Sequence, residues 1–143
     1  MLRVFVDTSV LFAAAYSSTG FARDLIRLAL EKRVALVLSQ DVLAEAERNL
    51  GEKAPEQLVL LRVFLTALEP EIMPSPPTER VAEVAQYVAQ KDAIIVAAAI
   101  QAGPDYVATY DRKHLLDPPE VAAKSGLKIV TPDIVVHEIQ ESD

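Results

Sequence analysis

Residues 91–111 read KDAIIVAAAIQAGPDYVATYD. Ala93 to Ala102 is apolar nearly all round, and a helix of that kind is stable in water only when other elements cover it. Gly103-Pro104 stops it. Tyr106–Thr109 then has the short apolar composition of a buried strand. A central helix running into a buried strand is the repeating unit of a parallel sheet covered by helices.

Working outward, the alternation continues in both directions. Leu2–Val6 reads as a buried strand and Phe21 to Leu30 as an amphipathic helix. Ala35–Leu38 is a second strand, and Ser39 can cap a helix from Gln40 to Leu50. Pro55 suits the first turn of a helix reaching about Leu68. A loop with Pro70, Pro74, Pro76 and Pro77 holds a short strand, Glu71–Met73, before a helix from Glu79 to Ala89. Asp92 can cap the apolar helix, Lys128–Val130 is the last strand, and Thr131-Pro132-Asp133 starts a helix through Ile139. The pattern predicts an α/β fold with a parallel sheet between helices, as a single domain over residues 1–143.

Composition narrows the function. The chain has no cysteine, which excludes disulfides, thiolate metal sites and a cysteine nucleophile. Its two histidines, His114 and His137, do not form a zinc motif of common spacing. A net charge of −7 excludes a broadly basic nucleic-acid surface, so any contact with RNA or DNA runs through a local site or a bound cation. Mean hydropathy of +0.21 fits either a large alanine and valine core or a subunit interface, and a homodimer or higher homo-oligomer is the expectation carried forward. The longest apolar run, Ala93 to Ile100, is far short of a membrane span, and Asp7, Thr8 and Ser9 interrupt any signal-peptide core. The expected location is cytoplasmic.

In a parallel α/β sheet all strands end at one edge, where ligands bind. Asp7 follows the first strand, Asp111 lies just past the fourth, Glu45 is in the helix after the second, and Asp92 opens the apolar helix. All four carboxylates can reach that edge. Each also has a plainer role: a turn residue for Asp7 and Asp111, a cap for Asp92, a solvated side chain for Glu45. Two carboxylates ~6 Å apart repel by ~2.8 kcal/mol at an effective dielectric near 20, and by ~0.7 kcal/mol in water. A cluster of four must therefore take up protons, stay wet or hold a cation. All-oxygen ligands, with neither histidine nor thiolate, favour Mg²⁺ or Mn²⁺ over zinc, and such ions support phosphodiester hydrolysis.

The segments VFVDTSVL (4–11), VLAE (42–45), KDAIIVAAAIQAG (91–103) and YVATYDRKHL (106–115) resemble, in order, the motifs of the PIN-domain family. The resemblance implies a three-layer α/β/α sandwich with a mainly parallel sheet. It also implies a Mg²⁺- or Mn²⁺-dependent endoribonuclease similar to the VapC-like toxins, with an RNA substrate and an antitoxin partner. The family's acids fall on Asp7, Glu45, Asp92 and Asp111, as catalytic and metal-binding residues. The hydroxyls beside the metal fall on Thr8 or Ser9 and on Thr109. Glu47 competes with Glu45, because a helix turns ~200° over two residues and only one of them can face the site. Lys91, Arg112 and Lys113 flank the acids and are candidate phosphate contacts, against a plainer reading as solvated charges. Arg23 and Arg27 read first as surface or intrahelical partners, Tyr110 as packing, and both histidines as surface, with His114 within reach to assist.

Other readings fit less well. A haloacid-dehalogenase-type phosphatase needs a second aspartate where Ser9 stands, and a response-regulator receiver needs paired acids where only Asp7 is present. The four glycines form no phosphate-binding loop. The alternatives that remain are a non-catalytic PIN-like module that binds RNA or protein, and a nuclease of RNA maturation rather than a toxin.

Overall fold

The computed structural model describes residues 1–142. Strands β1 (Arg3–Val6), β2 (Ala35–Ser39), β3 (Glu71–Met73), β4 (Tyr106–Ala108) and β5 (Ile129–Val130) form one sheet in the order β3-β2-β1-β4-β5. Every neighbouring pair is parallel. The sheet is flanked by helices α1 (Thr8–Tyr16), α2 (Phe21–Leu30), α3 (Gln40–Lys53), α4 (Pro55–Leu68), α5 (Thr78–Val84), α6 (Gln90–Ala102), α7 (Pro119–Ser125) and α8 (Pro132–Glu141). The fold is the α/β/α arrangement expected, with a sheet that is parallel throughout.

The central strand β1 sets the rest. Val4, Phe5 and Val6 are almost completely buried, as are Val37 and Leu38 of β2 and Ala108 of β4. Such unbroken apolar runs belong to strands covered on both faces. Val6 stands opposite Ala108 in the register of β1 and β4. The residues that follow them, Asp7 and Thr109, are therefore neighbours at the carboxyl edge.

Helix α6 takes the central place that its composition demands. Ile95, Ala98 and Ala99 pack into the main core, and Ala93, Val96 and Ala97 into a second cluster with Val84, Leu115 and Val121. Gly103 ends the helix in a left-handed conformation at φ +59°, which a residue with a Cβ adopts only under strain.

Several elements depart from the sequence reading. Helix α1 has no expected counterpart: TSVLFAAAY is too uniformly apolar to show a helical stripe, although Asp7 caps it by accepting from Val10 N–H. The helix expected through Ala89 ends at Val84, where bonds from Gln86 to Glu83 and from Tyr87 to Val84 tighten the chain into turns. Helix α6 starts at Gln90, so Asp92 lies inside its first turn instead of capping it. A π-helical turn, Arg112–Leu116, and helix α7 were also unanticipated.

Candidate metal centre

Asp7 is held at the end of β1 by three donors. Its Oδ1 accepts from Ser9 Oγ at 2.6 Å and from Val10 N at 3.2 Å. Its Oδ2 accepts the Thr109 hydroxyl. Burial pushes the Asp7 carboxyl above its ordinary pKa. The hydrogen bonds from Ser9, Thr109 and Val10 oppose that shift, and the charge of Asp111 adds to it.

The hydroxyls that serve Asp7 also fix the loop after β4. Ser9 Oγ accepts from Tyr110 N at 2.9 Å, and Thr109 Oγ1 from Asp111 N at 3.0 Å. Thr8 is nearly as buried as Asp7, and its Oγ1 has no hydrogen-bond partner among the described residues. Asp111 caps the π-helical turn: its Oδ1 accepts from His114 N at 3.0 Å, and its Oδ2 lies 3.3 Å from His114 Nδ1.

Asp92 reaches the same place from the first turn of α6. Its Oδ2 is buried without a hydrogen-bond donor among the described residues and lies 4.0 Å from His114 Nδ1. Burial raises its pKa. Lys91 opposes the shift, Asp111 and Glu45 add to it, and His114 lowers it. Single donor atoms of Asp92, Asp111 and His114 all lie within 4.8 Å of one another.

A cleft of about 320 Å³ takes in Asp92 and Asp111, while His114 is not among its lining residues. Asp7, Glu45, Asp92 and Asp111 all line it, with Thr8 and Ser9 beside them and Phe12, Ile95 and Leu115 as apolar wall. Glu45 faces the cleft, whereas Glu47 points to α4 and pairs with Arg62 at 3.6 Å. Asp92 and Asp111 are thus brought close together, and Asp7 and Glu45 share their cleft outside the 4.8 Å trio.

Of the basic candidates, Lys91 lines the cleft. Arg112 and Lys113 are exposed on the π-helical turn outside it, with Arg112 4.0 Å from Asp117. Arg27 pairs with Asp24 at 2.6 Å. Arg23 donates to Ala14 O at 2.6 Å and lies 5.0 Å over the Phe64 ring. His137 packs edge-on against Phe21. Sequence reasoning missed Asn49 and Lys53, which also line the cleft. Their signal was available: both follow Glu45 at four-residue steps, on one face of α3. His114, read from sequence as surface but within reach to assist, is placed beside Asp111 by the π-helical turn.

The donors fit a hard divalent cation. Carboxylates dominate, no thiolate is available, and a buried carboxylate oxygen of Asp92 has no hydrogen-bond donor among the described residues. With a cation bound, the raised pKa values of Asp7 and Asp92 would fall and both would serve as anions.

No curated protein matches the chain by sequence. Solved structures do resemble it in fold. PAE2754 from Pyrobaculum aerophilum is 20% identical with a TM-score of 0.65, and the match covers 98% of this chain and 90% of that one. VapBC2 from Rickettsia felis, bound to a DNA fragment from its promoter, is 21% identical with a TM-score of 0.64, covering 91% and 98%. VapC20 of Mycobacterium tuberculosis, a Sarcin-Ricin loop cleaving toxin, is 16% identical with a TM-score of 0.58, covering 77% and 91%. A PIN domain family profile matches residues 3–113, from β1 into the π-helical turn. The chain belongs to the PIN domain family.

Proposed function

We propose that this chain is a divalent-metal-dependent endoribonuclease, using Mg²⁺ or Mn²⁺, and the toxin of a toxin–antitoxin pair in the cytoplasm. The observation that carries the reading is the meeting of Asp7, Glu45, Asp92 and Asp111 in one cleft, where a buried Asp92 oxygen has no hydrogen-bond partner among the described residues. Membership of the PIN family and the fold shared with VapC20 and VapBC2 support the nuclease and the antitoxin partner. Among the described residues no helix is long and apolar enough to cross a membrane.

In this reading Asp92 and Asp111 hold the cation and Asp7 completes its field. When bound, the ion neutralises charge on the scissile phosphate and makes water a better nucleophile. Glu45 orients the attacking water and takes its proton at a carboxylate oxygen. Ser9 and Thr109 keep Asp7 in one rotamer by donating to its two oxygens. Lys91 meets a substrate phosphate at the rim. Phe12, Ile95 and Leu115 limit solvent on one side of the cleft.

The test is cleavage of single-stranded RNA with Mn²⁺ by the wild type, Asp7→Asn and Asp92→Asn. The reading requires both variants to lose most activity while remaining folded. Undiminished cleavage by both rejects it.

A further inference from the structure

We infer that His114 is a direct ligand of the cation held by Asp92 and Asp111, and that its nitrogen biases the site toward Mn²⁺ over Mg²⁺. The inference rests on the metal-dependent reading above and adds a residue and an ion preference to it.

The geometry starts in the backbone. Leu115 N and Leu116 N both donate to Asp111 O, and Asp117 N donates to Arg112 O, so the chain makes one wide π-helical turn. Such turns are rare and recur at functional sites. Here the turn folds His114 back over Asp111, and the His114 N–H to Asp111 Oδ1 bond of 3.0 Å fixes it there. His114 Nδ1 then lies 3.3 Å from Asp111 Oδ2 and 4.0 Å from Asp92 Oδ2. Donor atoms ~2.1 Å from one small divalent ion stand ~3.0 Å apart when adjacent and ~4.2 Å apart when opposite. The two observed separations fall within that span. The imidazole is partly buried, with 27% of its side chain exposed.

Two groups without a hydrogen-bond partner among the described residues point to a ligand: one inside the acid cluster, Asp92, and one outside it, Thr8. Asp92 Oδ2 is buried with no hydrogen-bond donor among the described residues and lies 4.0 Å from His114 Nδ1. Thr8, a lining residue only 7% exposed, has no hydrogen-bond partner for its hydroxyl among the described residues. A buried carboxylate oxygen left without a donor is costly unless something positive meets it.

The nitrogen gives the ion preference. Mg²⁺ demands near-ideal octahedral geometry with oxygen ligands and gives up its waters reluctantly, so a nitrogen ligand costs it more than it costs a first-row transition-metal ion such as Mn²⁺. A neutral ligand in place of a further carboxylate also limits the negative charge packed around the ion.

The test uses Mn²⁺ alone as probe, read by pulsed electron paramagnetic resonance and by calorimetric titration. His137 is the only other histidine, and it packs on Phe21, so a nitrogen signal is assignable. Wild type and His137→Ala should both show ¹⁴N modulation on bound Mn²⁺, and His114→Ala should lose it. His114→Ala should also weaken Mn²⁺ binding by at least about tenfold, since removing even a group that only supports a ligand costs about 10–100-fold. Mg²⁺ binding should fall less, so the Mn²⁺ preference narrows. His114→Asp should bind both ions with no nitrogen signal. The wild-type and His137→Ala spectra decide the assignment even if a His114 variant misfolds. If Mn²⁺ binds the wild type and is lost in Asp92→Asn, but no nitrogen modulation appears, His114 is not a ligand while the nuclease reading stands. If Mn²⁺ does not bind the wild type, both fall.

Discussion

Thr109 donates its hydroxyl to Asp7 Oδ2 across 102 positions of sequence. The contact exists because β1 and β4 run parallel with Val6 opposite Ala108, so the next residue on each strand meets its neighbour at the sheet edge. Thr109 is fully buried and also accepts from Asp111 N. One hydroxyl therefore joins two of the four acids.

Thr109→Val keeps the shape and removes both bonds. It should destabilise the fold by about 1–3 kcal/mol, the cost of leaving buried polar groups without a partner. RNA cleavage should fall with it, because Asp7 loses one of the donors that set its rotamer. Urea unfolding beside a cleavage assay checks this. Unchanged stability would mean that the hydroxyl does not hold Asp7.

The raised pKa values of Asp7 and Asp92 make a prediction about pH in the absence of metal. Each carboxyl has a higher pKa folded than unfolded, chiefly through burial. Their contribution to stability is therefore full below the unfolded value near the ordinary carboxylate range, and is lost as pH rises through the raised folded values. In chelator, Asp92→Asn should be more stable than wild type at neutral pH, and the advantage should shrink as pH falls. Added Mg²⁺ or Mn²⁺ should stabilise the wild type and leave the variant behind. Denaturant midpoints across pH, with and without metal, test both signs.

The parts of the fold that were legible have continuous apolar strands or an all-round apolar helix. Val4 to Val6, Val37 and Leu38, and the buried length of α6 announce themselves because burial on every side removes polar residues altogether. Helix α1 was hidden by that same uniformity, since a helix without a polar face has no period to detect. The placing of the four acids at one edge follows from strand ends in a parallel sheet. The choice between Glu45 and Glu47 needed Arg62 of α4, a partner that no local pattern reveals. That His114 stands 3.3 Å from Asp111 was not legible, because a π-helical turn leaves no recognisable sequence signature.

Glu45 and Glu47 offer a control within one helix. Glu45→Gln should cut RNA cleavage sharply while Mn²⁺ still binds, because Glu45 stands outside the Asp92–Asp111–His114 trio. Glu47→Gln breaks only an exposed pair with Arg62, worth about 0–1 kcal/mol. It should leave cleavage unchanged. Equal loss of activity in the two variants would remove Glu45 from its assigned role.

A chain of net charge −7 would need local cations in the cleft to receive a polyanion. Lys53 comes to the cleft from α3, where its ammonium lies 5.5 Å from the centroid of the Phe12 ring, and Lys91 comes from the first turn of α6. They enter from different elements beside the acids, so an RNA strand in the cleft can present one phosphate to each. Arg112 and Lys113 lie outside the cleft, and Arg112 has Asp117 nearby. Each phosphate contact on a single strand adds about 0.7 to the slope of log affinity against log salt. In a cleavage-deficient Asp7→Asn background, Lys53→Ala and Lys91→Ala should each lower that slope by about 0.7, whereas Arg112→Ala and Lys113→Ala should leave it unchanged. Fluorescence anisotropy of a short labelled RNA over a salt series measures it. A slope that responds to Arg112 or Lys113 instead would put the RNA path over the π-helical turn and away from the α3 side of the cleft.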